Sequence, residues 1–328
     1  MTLNVADFGN DWNEAIAKAV QYGATKVTGR GTFPISETIE IGEAASYVEV
    51  DGQWSLLDAD GFNGTVMQIA DRTTASDRAE YSKVHRFRIE GSGGTDTATD
   101  DSIGVEIGNS LMVTVEDFLI QNMGGRGIVA DKPPSGSTTL IAQQLELNRV
   151  AVRWTGAEAF DIGRTRALDS VIARNCFANH AGQQVTSAAK ARGGAYIAAY
   201  MVDLAGWEIS GIENFLNGMV VRKASGSARS LHFEDNCGNQ TGSADLLLDT
   251  DANGLVVSGT SHTFGTNGAR WCVETSSKGN RLEGIKSSGS STSLTHDIIV
   301  HRNNATNCEV GPISYAYAPK SMPVYPAP

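Results

Sequence analysis

Ala195-Tyr-Ile-Ala-Ala199, Gly218-Met-Val-Val-Arg222, Asp245-Leu-Leu-Leu-Asp249, Arg270-Trp-Cys-Val-Glu274 and Asp297-Ile-Ile-Val-His301 are versions of one short apolar run. Their central residues, Tyr196, Met219, Leu246, Trp271 and Ile298, are separated by 23, 27, 25 and 27 positions. Toward the N-terminus the run recurs, at less even steps, as Val66-Met-Gln-Ile-Ala70, Gly104-Val-Glu-Ile-Gly108, Gly127-Ile-Val-Ala130 and Ala159-Phe-Asp-Ile-Gly163. A second run belongs to most copies: Val84 to Ile89, Val113 to Ile120, Leu145 to Val152, Trp207 to Ile212, Ser230 to Phe233 and Leu255 to Ser258. These segments are β-rich and bounded by Gly, Asn, Asp and Ser, which is the pattern of strands. They lack the length and the 3.6-residue period of helices.

Strands this short cannot bury a face alone, so successive copies must stack to make a continuous core. With two or three strands and no helix per copy, the solution is an all-β solenoid. Each copy makes one coil, equivalent strands pair in parallel, and inward Val, Ile, Leu and Phe form ladders. A β-propeller needs about 40 residues and four strands per blade, and the later steps here are too short.

The ends depart from the repeat. Asp11-Trp-Asn-Glu14 is a capping box that opens a helix over residues 11–22, with Trp12, Ala15, Ile16, Ala19 and Val20 on one face and Gly23 as its stop. That stripe predicts a lid on the open end of the solenoid. Pro312, Pro319, Pro323, Pro326 and Pro328 crowd the other end, and proline cannot donate to a ladder. Residues 312–328 are therefore expected to run extended, outside the ladder, over the last coil or a neighbouring subunit. The organisation expected is a cap over 1–45, coils over 46–311 and this tail.

Composition narrows the function. The chain has 328 residues, 41% hydrophobic and 19% charged, and a formal net charge of −11. That length and apolar content sustain a large core. No run approaches the roughly 20 apolar residues that cross a bilayer, and Met1 to Asn10 show no secretory signal. The negative charge disfavours nucleic acid and makes a polyanionic glycan a poor ligand unless a local basic patch overrides it. Cys176, Cys237, Cys272 and Cys308 lack C-x-x-C spacing and read as reduced, buried thiols of a protein made in the cytoplasm.

Asn4-Val-Ala-Asp-Phe-Gly9, the helix after it, and Val27-Thr-Gly-Arg-Gly-Thr-Phe-Pro-Ile-Ser-Glu-Thr-Ile-Glu-Ile41 resemble the opening of the pectate-lyase-like right-handed parallel β-helix superfamily. That superfamily holds polysaccharide lyases, glycoside hydrolases, epimerases and phage tailspike proteins. With no signal segment visible, the resemblance implies a tailspike-type depolymerase. It would be virion-associated or released by lysis, act on a bacterial surface or extracellular polysaccharide, and assemble as a homotrimer of side-by-side coils. A non-catalytic glycan-binding or structural tail component and a sugar epimerase are the alternatives.

Glycoside hydrolysis needs two carboxylates, about 5 Å apart for retention or about 6.5–9.5 Å for inversion. Parallel coils about 4.8 Å apart deliver such spacings from adjacent strands. Aligning the coils on Gly124, Gly182, Gly218, Gly242 and Gly268 predicts a polar strip containing Arg174, Glu213, Glu234, Asp235 and His262, with Glu208 beside it. In this reading Glu234, Asp235, Glu213 and Glu208 carry the chemistry. Arg174 and His262 bind substrate, and Trp154 offers an aromatic surface. Lys190 and Arg192 form the basic wall that a lyase would use. No metal site follows from spacing, although Asp249 and Asp251 are a weak Ca²⁺ candidate in a turn.

Overall fold

The short runs form strands because each finds an equivalent run one coil away. The computed structural model describes residues 1–70, 79–93, 101–131, 144–185, 192–236, 244–249, 251–264, 271–289, 298–302, 306–311, 313–315 and 324–325. It is a parallel β-solenoid of about nine turns. Three strand ladders run along it, each pairing in parallel from coil to coil, and they define three faces. On face 1 one column reads Val27, Val50, Val84, Val115, Leu147, Ala173, Leu204, Ala228, Val257 and Leu282. All ten are fully buried. On face 2 the inward column runs Phe33, Leu57, Ile89, Ile120, Val152, Ala178, Ile209, Phe233 and His262.

Face 3 is built from the Ala195–Ala199, Gly218–Arg222 and Asp245–Asp249 runs and their equivalents. Its column reads Met67, Val105, Ile128, Phe160, Ala195, Met219, Leu246, Val273 and Val300. The expected central residues match at Met67, Val105, Ile128, Phe160, Met219 and Leu246. Tyr196 lies one place along, opposite Val220, and Trp271 and Ile298 lie two places back, in line with Ala244. For Tyr196 the cause is burial on both sides. Val129, Tyr196 and Val220, which alternate with the inward column, are also buried, so no polar alternation marks the phase.

Faces meet at corners made by single residues in the left-handed region. Between faces 1 and 2 these are Arg86, Asp117, Arg149, Asn175, Gly206, Ser230, Gly259 and Gly284, with φ between 53 and 66°. An L-residue there costs about 1–2 kcal/mol. The corner N–H offsets part of that cost by continuing the ladder: Asn175 donates to Ala205 O at 2.8 Å, Gly206 to Arg229 O at 3.1 Å and Ser230 to Ser258 O at 2.9 Å.

The helix spans Trp12–Tyr22, with the Asp11 carboxylate accepting from Glu14 N at 3.0 Å and Gly23 left-handed at φ 65°. Trp12 meets Phe33 and Phe87 edge-on at 5.4 and 5.1 Å, so the end of the core is plugged by an indole. Val20, expected on the buried stripe, is 38% exposed. The proline-rich tail departs from expectation. Ile313–Tyr315 and Val324–Tyr325 each extend a parallel ladder, because both strands are short enough to fit between prolines. Cys176 and Cys272 are buried free thiols and Cys308 is half-buried and free. Cys237 lies outside the described residues. Burial pushes the Cys176 thiol up to about 12.

Coil stacking leaves little room at the closest backbone approaches. A Cβ on Gly156 would lie 1.8 Å from the Gly124 carbonyl oxygen of the neighbouring coil. Gly156→Ala is expected to cost about 2 kcal/mol or more, the upper range of overpacked sites, read as a lowered denaturation midpoint. An unchanged midpoint would show that the coils are not held at this spacing.

Candidate functional site

The site is built at the second corner, where face 2 turns toward face 3. Trp154, His180, Gly211 and Asp235 occupy equivalent corner positions on four consecutive coils, with φ of 51, 50, 60 and 49°. Because the corner residue leaves the strand, its side chain swings out of the pleat. The rings of Trp154 and His180 stack, 6.3 Å apart and 10° from parallel. His180 Nδ1 lies 3.4 Å from Glu213 Oε1.

The outward rows of face 2 reach the same corner. Glu208 pairs in register with His232, and Ser210 with Glu234. His232 Nδ1 is 2.8 Å from Ser261 Oγ, and its Nε2 is 3.7 Å from Glu234 Oε2. Glu208 and Glu234 are diagonal neighbours on adjacent strands, a relation that sets backbone positions about 7–8 Å apart. The glutamate-aspartate dipeptide puts both carboxylates in solvent, because Asp235 is itself the corner residue. Among the described residues, Glu208, Glu213, Glu234 and Asp235 have no Lys or Arg ion partner. Histidines approach two of them, His180 at Glu213 and His232 at Glu234.

The other expected site residues are elsewhere. Arg174 is on face 1, paired with Asp203 at 2.8 Å. His262 is not on the outer wall: it is buried, stacked on Phe233 at 4.9 Å, with Nδ1 2.9 Å from Asp245 and Nε2 3.0 Å from Thr260 Oγ1. Asn236, also buried, joins this pocket by donating to Asp245 at 3.1 Å. Arg192 contacts Glu158 at 3.1 Å on the face 3 side, and Lys190 lies outside the described residues. Asp249 is 3.7 Å from Arg222. The glycine alignment mixed corners: Gly218 sits inside a face 3 strand, whereas Gly182 follows the last strand residue of face 2.

Two acid clusters escaped the sequence reading. On face 3, Glu158 and Asp161 are buried against Arg126, Arg164 and Arg192, with Arg164 Nη2 2.6 Å from each acid. Burial, then the neighbouring Glu158, pushes Asp161 up despite Arg164 and Arg126. On face 1, Glu49, Asp51 and His85 are the one group of three metal-ligand types within mutual reach among the described residues. Lys26 Nζ already lies 2.9 Å from Glu49 and 2.8 Å from Asp51. An ammonium therefore takes the place an ion would. Arg86 adds Nε at 2.9 Å to Asp51 Oδ1 and an Nη2 contact to Oδ2. The network continues with Lys83 and Arg149 on Glu116, each at 2.6 Å.

No protein-family model matches the sequence, and no curated protein matches it. Among solved structures the chain is similar to ORF18 of Geobacillus virus E2, at 13% identity and a TM-score of 0.46, covering 96% of this chain and 62% of that one. It is similar to Dettilon tailspike protein at 11% identity and a TM-score of 0.44, covering 93% and 64%. It is also similar to DFA-IIIase from Arthrobacter chlorophenolicus A6 at 12% identity and a TM-score of 0.45, covering 96% and 83%. The chain thus spans less than two thirds of the length of the first two.

Asp51 gives this electrostatic framework a measurable signature. Burial alone would raise its carboxyl, but hydrogen bonds from Arg86, Lys26 and the Gln53 backbone overcome that and hold it at about 2. A depressed carboxyl stabilises the fold above its ordinary value and loses that contribution as pH falls toward 2. Asp51→Asn should remove this part of the acid limb and lower stability near neutral pH by about 2 kcal/mol, within the range for unpairing a buried charge. Chemical denaturation across the acid range measures both. An acid limb identical to that of the unsubstituted chain would contradict the assignment.

Proposed function

We propose that the chain binds a bacterial surface or extracellular polysaccharide along the second corner and hydrolyses it there. The observation that carries this reading is the contrast between two walls. Acids on face 1 are laced to Lys and Arg, whereas Glu208, Glu213, Glu234 and Asp235 lie along the second corner with no such partner among the described residues. They flank the Trp154–His180 stack, which offers apolar surface for a sugar ring. In this reading one carboxyl protonates the glycosidic oxygen while a second, one coil away, activates water or attacks the anomeric carbon. His232, between Ser261 and Glu234, orients the Glu234 carboxylate. A lyase would need a cation at the acid strip, and Arg192 is instead committed to Glu158.

Solvent exposure favours a second reading, glycan binding without cleavage. Glu213 and Glu234 side chains are each 48% exposed, and a proton donor gains from a drier setting. Capsule and O-antigen preparations separate the readings. Hydrolysis releases reducing ends without the ultraviolet absorbance of an unsaturated product. Glu208→Gln, Glu213→Gln, Glu234→Gln and Asp235→Asn are assayed singly, and removal of the proton donor is expected to cut the rate about 10²–10⁴-fold. Binding without new reducing ends selects the second reading, and full activity in all four variants overturns the site.

Self-association belongs to the same proposal. Tyr47, Tyr81 and Met112 line the corner between faces 3 and 1 on consecutive coils and are 63, 46 and 47% exposed, with the two tyrosines stacked at 5.2 Å. Such a ridge is the kind of surface that a neighbouring copy covers. Sedimentation should show a trimer that Tyr47→Ser combined with Tyr81→Ser weakens, and a monomer at micromolar concentration removes this part of the reading.

A further inference from the structure

The first two coils break the corner rule, the first with Gly29, Arg30 and Gly31 between its face 1 and face 2 strands. Between faces 1 and 2 the coil holding Arg86 turns on that single residue. The preceding coil uses three, Gly52, Gln53 and Trp54, and the register shifts between Asp51 and Ser55. Gln53 and Trp54 are both left-handed, at φ 49 and 66°, and each such L-residue costs about 1–2 kcal/mol. Gly52 has no alternative, because a Cβ there would lie 2.5 Å from the Arg86 carbonyl oxygen and 2.6 Å from Phe87. The outcome of this costly turn is a tryptophan that is 53% exposed. A strained, re-aimed side chain of this kind points to a ligand.

Trp54 does not stand alone. Arg30, Gly31, Gln53, Trp54 and Arg86 line a cleft of about 510 Å³, within the usual range for small-ligand sites. Its walls are set in advance. Gln53 N donates to Asp51 Oδ1 at 3.0 Å and its Nε2 to Thr28 Oγ1 at 2.5 Å. Arg86 gives two of its five N–H donors to Asp51, leaving three for a ligand. Arg30 is exposed and has no ion pair among the described residues. Around the cleft Lys26, Arg30, Lys83, Arg86 and Arg149 meet Glu49, Asp51, Glu116 and Asp117, five cations against four acids, so this patch carries a small local excess of positive charge in a chain of net charge −11. An indole beside guanidinium groups suits an apolar ring face that carries a negative substituent.

We propose that this cleft is a binding subsite for an anionic sugar, with Trp54 covering the ring and Arg30 and Arg86 holding its carboxylate. The inference rests on the glycan-binding part of the proposed function and not on the hydrolytic part. It lies on a different corner, in coils that precede the acid strip. Its readout is binding, so a chain with no hydrolytic activity still tests it, and the two readings fail separately.

Calorimetric titration of the full chain uses three probes: trigalacturonate, the neutral galactotriose of the same linkage, and sulfate alone. Trigalacturonate should bind at least about tenfold tighter than the neutral trisaccharide, a difference of about 1.4 kcal/mol. That preference should shrink with added salt. Arg30→Gln and Trp54→Gly should each weaken binding about tenfold or more. Trp54→Gly carries the sharper signature. Glycine accepts the left-handed turn without strain, so its melting temperature should stay at or above that of the unsubstituted chain while binding falls. Equal binding of both trisaccharides overturns the anionic assignment, and sulfate binding as tightly as trigalacturonate overturns the sugar assignment. Undiminished trigalacturonate binding by Trp54→Gly, or a changed oligomeric state in its place, overturns the site.

Discussion

The stacking of identical positions at one strand spacing governs the whole molecule. A column such as Val50, Val84 and Val115 is apolar because each member rests on the one before. It stays dry because no position in it is skipped. Every corner must then return the chain to the same height, and a left-handed residue does this in one step. Arg86, Arg149 and Asn175 adopt that conformation because it turns the chain in one step and lets the corner N–H continue the ladder. In-register stacking also turns side-chain chemistry into rows. Any polar residue that faces outward finds its neighbours one coil above and below at a fixed distance.

That geometry explains the two kinds of wall. On face 1, opposite charges alternate along and across rows, so Asp51 and Glu116 find cations on adjoining coils. At the second corner the row holds Trp154, His180, Gly211 and Asp235, and the acids beside it face solvent or histidine. The interior tolerates polarity only where it is fully paired. His262 occupies a place that Phe233 fills one coil earlier, and Asp245, Thr260 and the Asn236 network satisfy its surroundings.

The solenoid was legible in the sequence because the apolar runs repeat and their flanking glycines mark the turns. The phase within a run was not always legible. Met219 and Leu246 follow a glycine and an aspartate that mark where their strands enter the column, but Tyr196 sits in a run buried on both sides and was misplaced by one. The acids Glu208, Glu213, Glu234 and Asp235 were readable as a group because they lie close in sequence. Their separation from Arg174 and His262 was not, because it depends on segments between faces that differ in length from coil to coil. Glu158 and Asp161 were missed for the same reason as Tyr196. The turn at Trp54 was missed because its extra residues are visible only against the register of the next coil.

That insertion has a broader meaning. A solenoid contacts itself only through adjacent layers, so a change of length at a corner is absorbed locally and leaves distant layers undisturbed. The Gly52-Gln53-Trp54 turn shows the scaffold accepting two additional residues at a vertex while the strands on either side keep their partners. A vertex can thus gain residues and change the side chains it presents without any rebuilding of the frame that carries it.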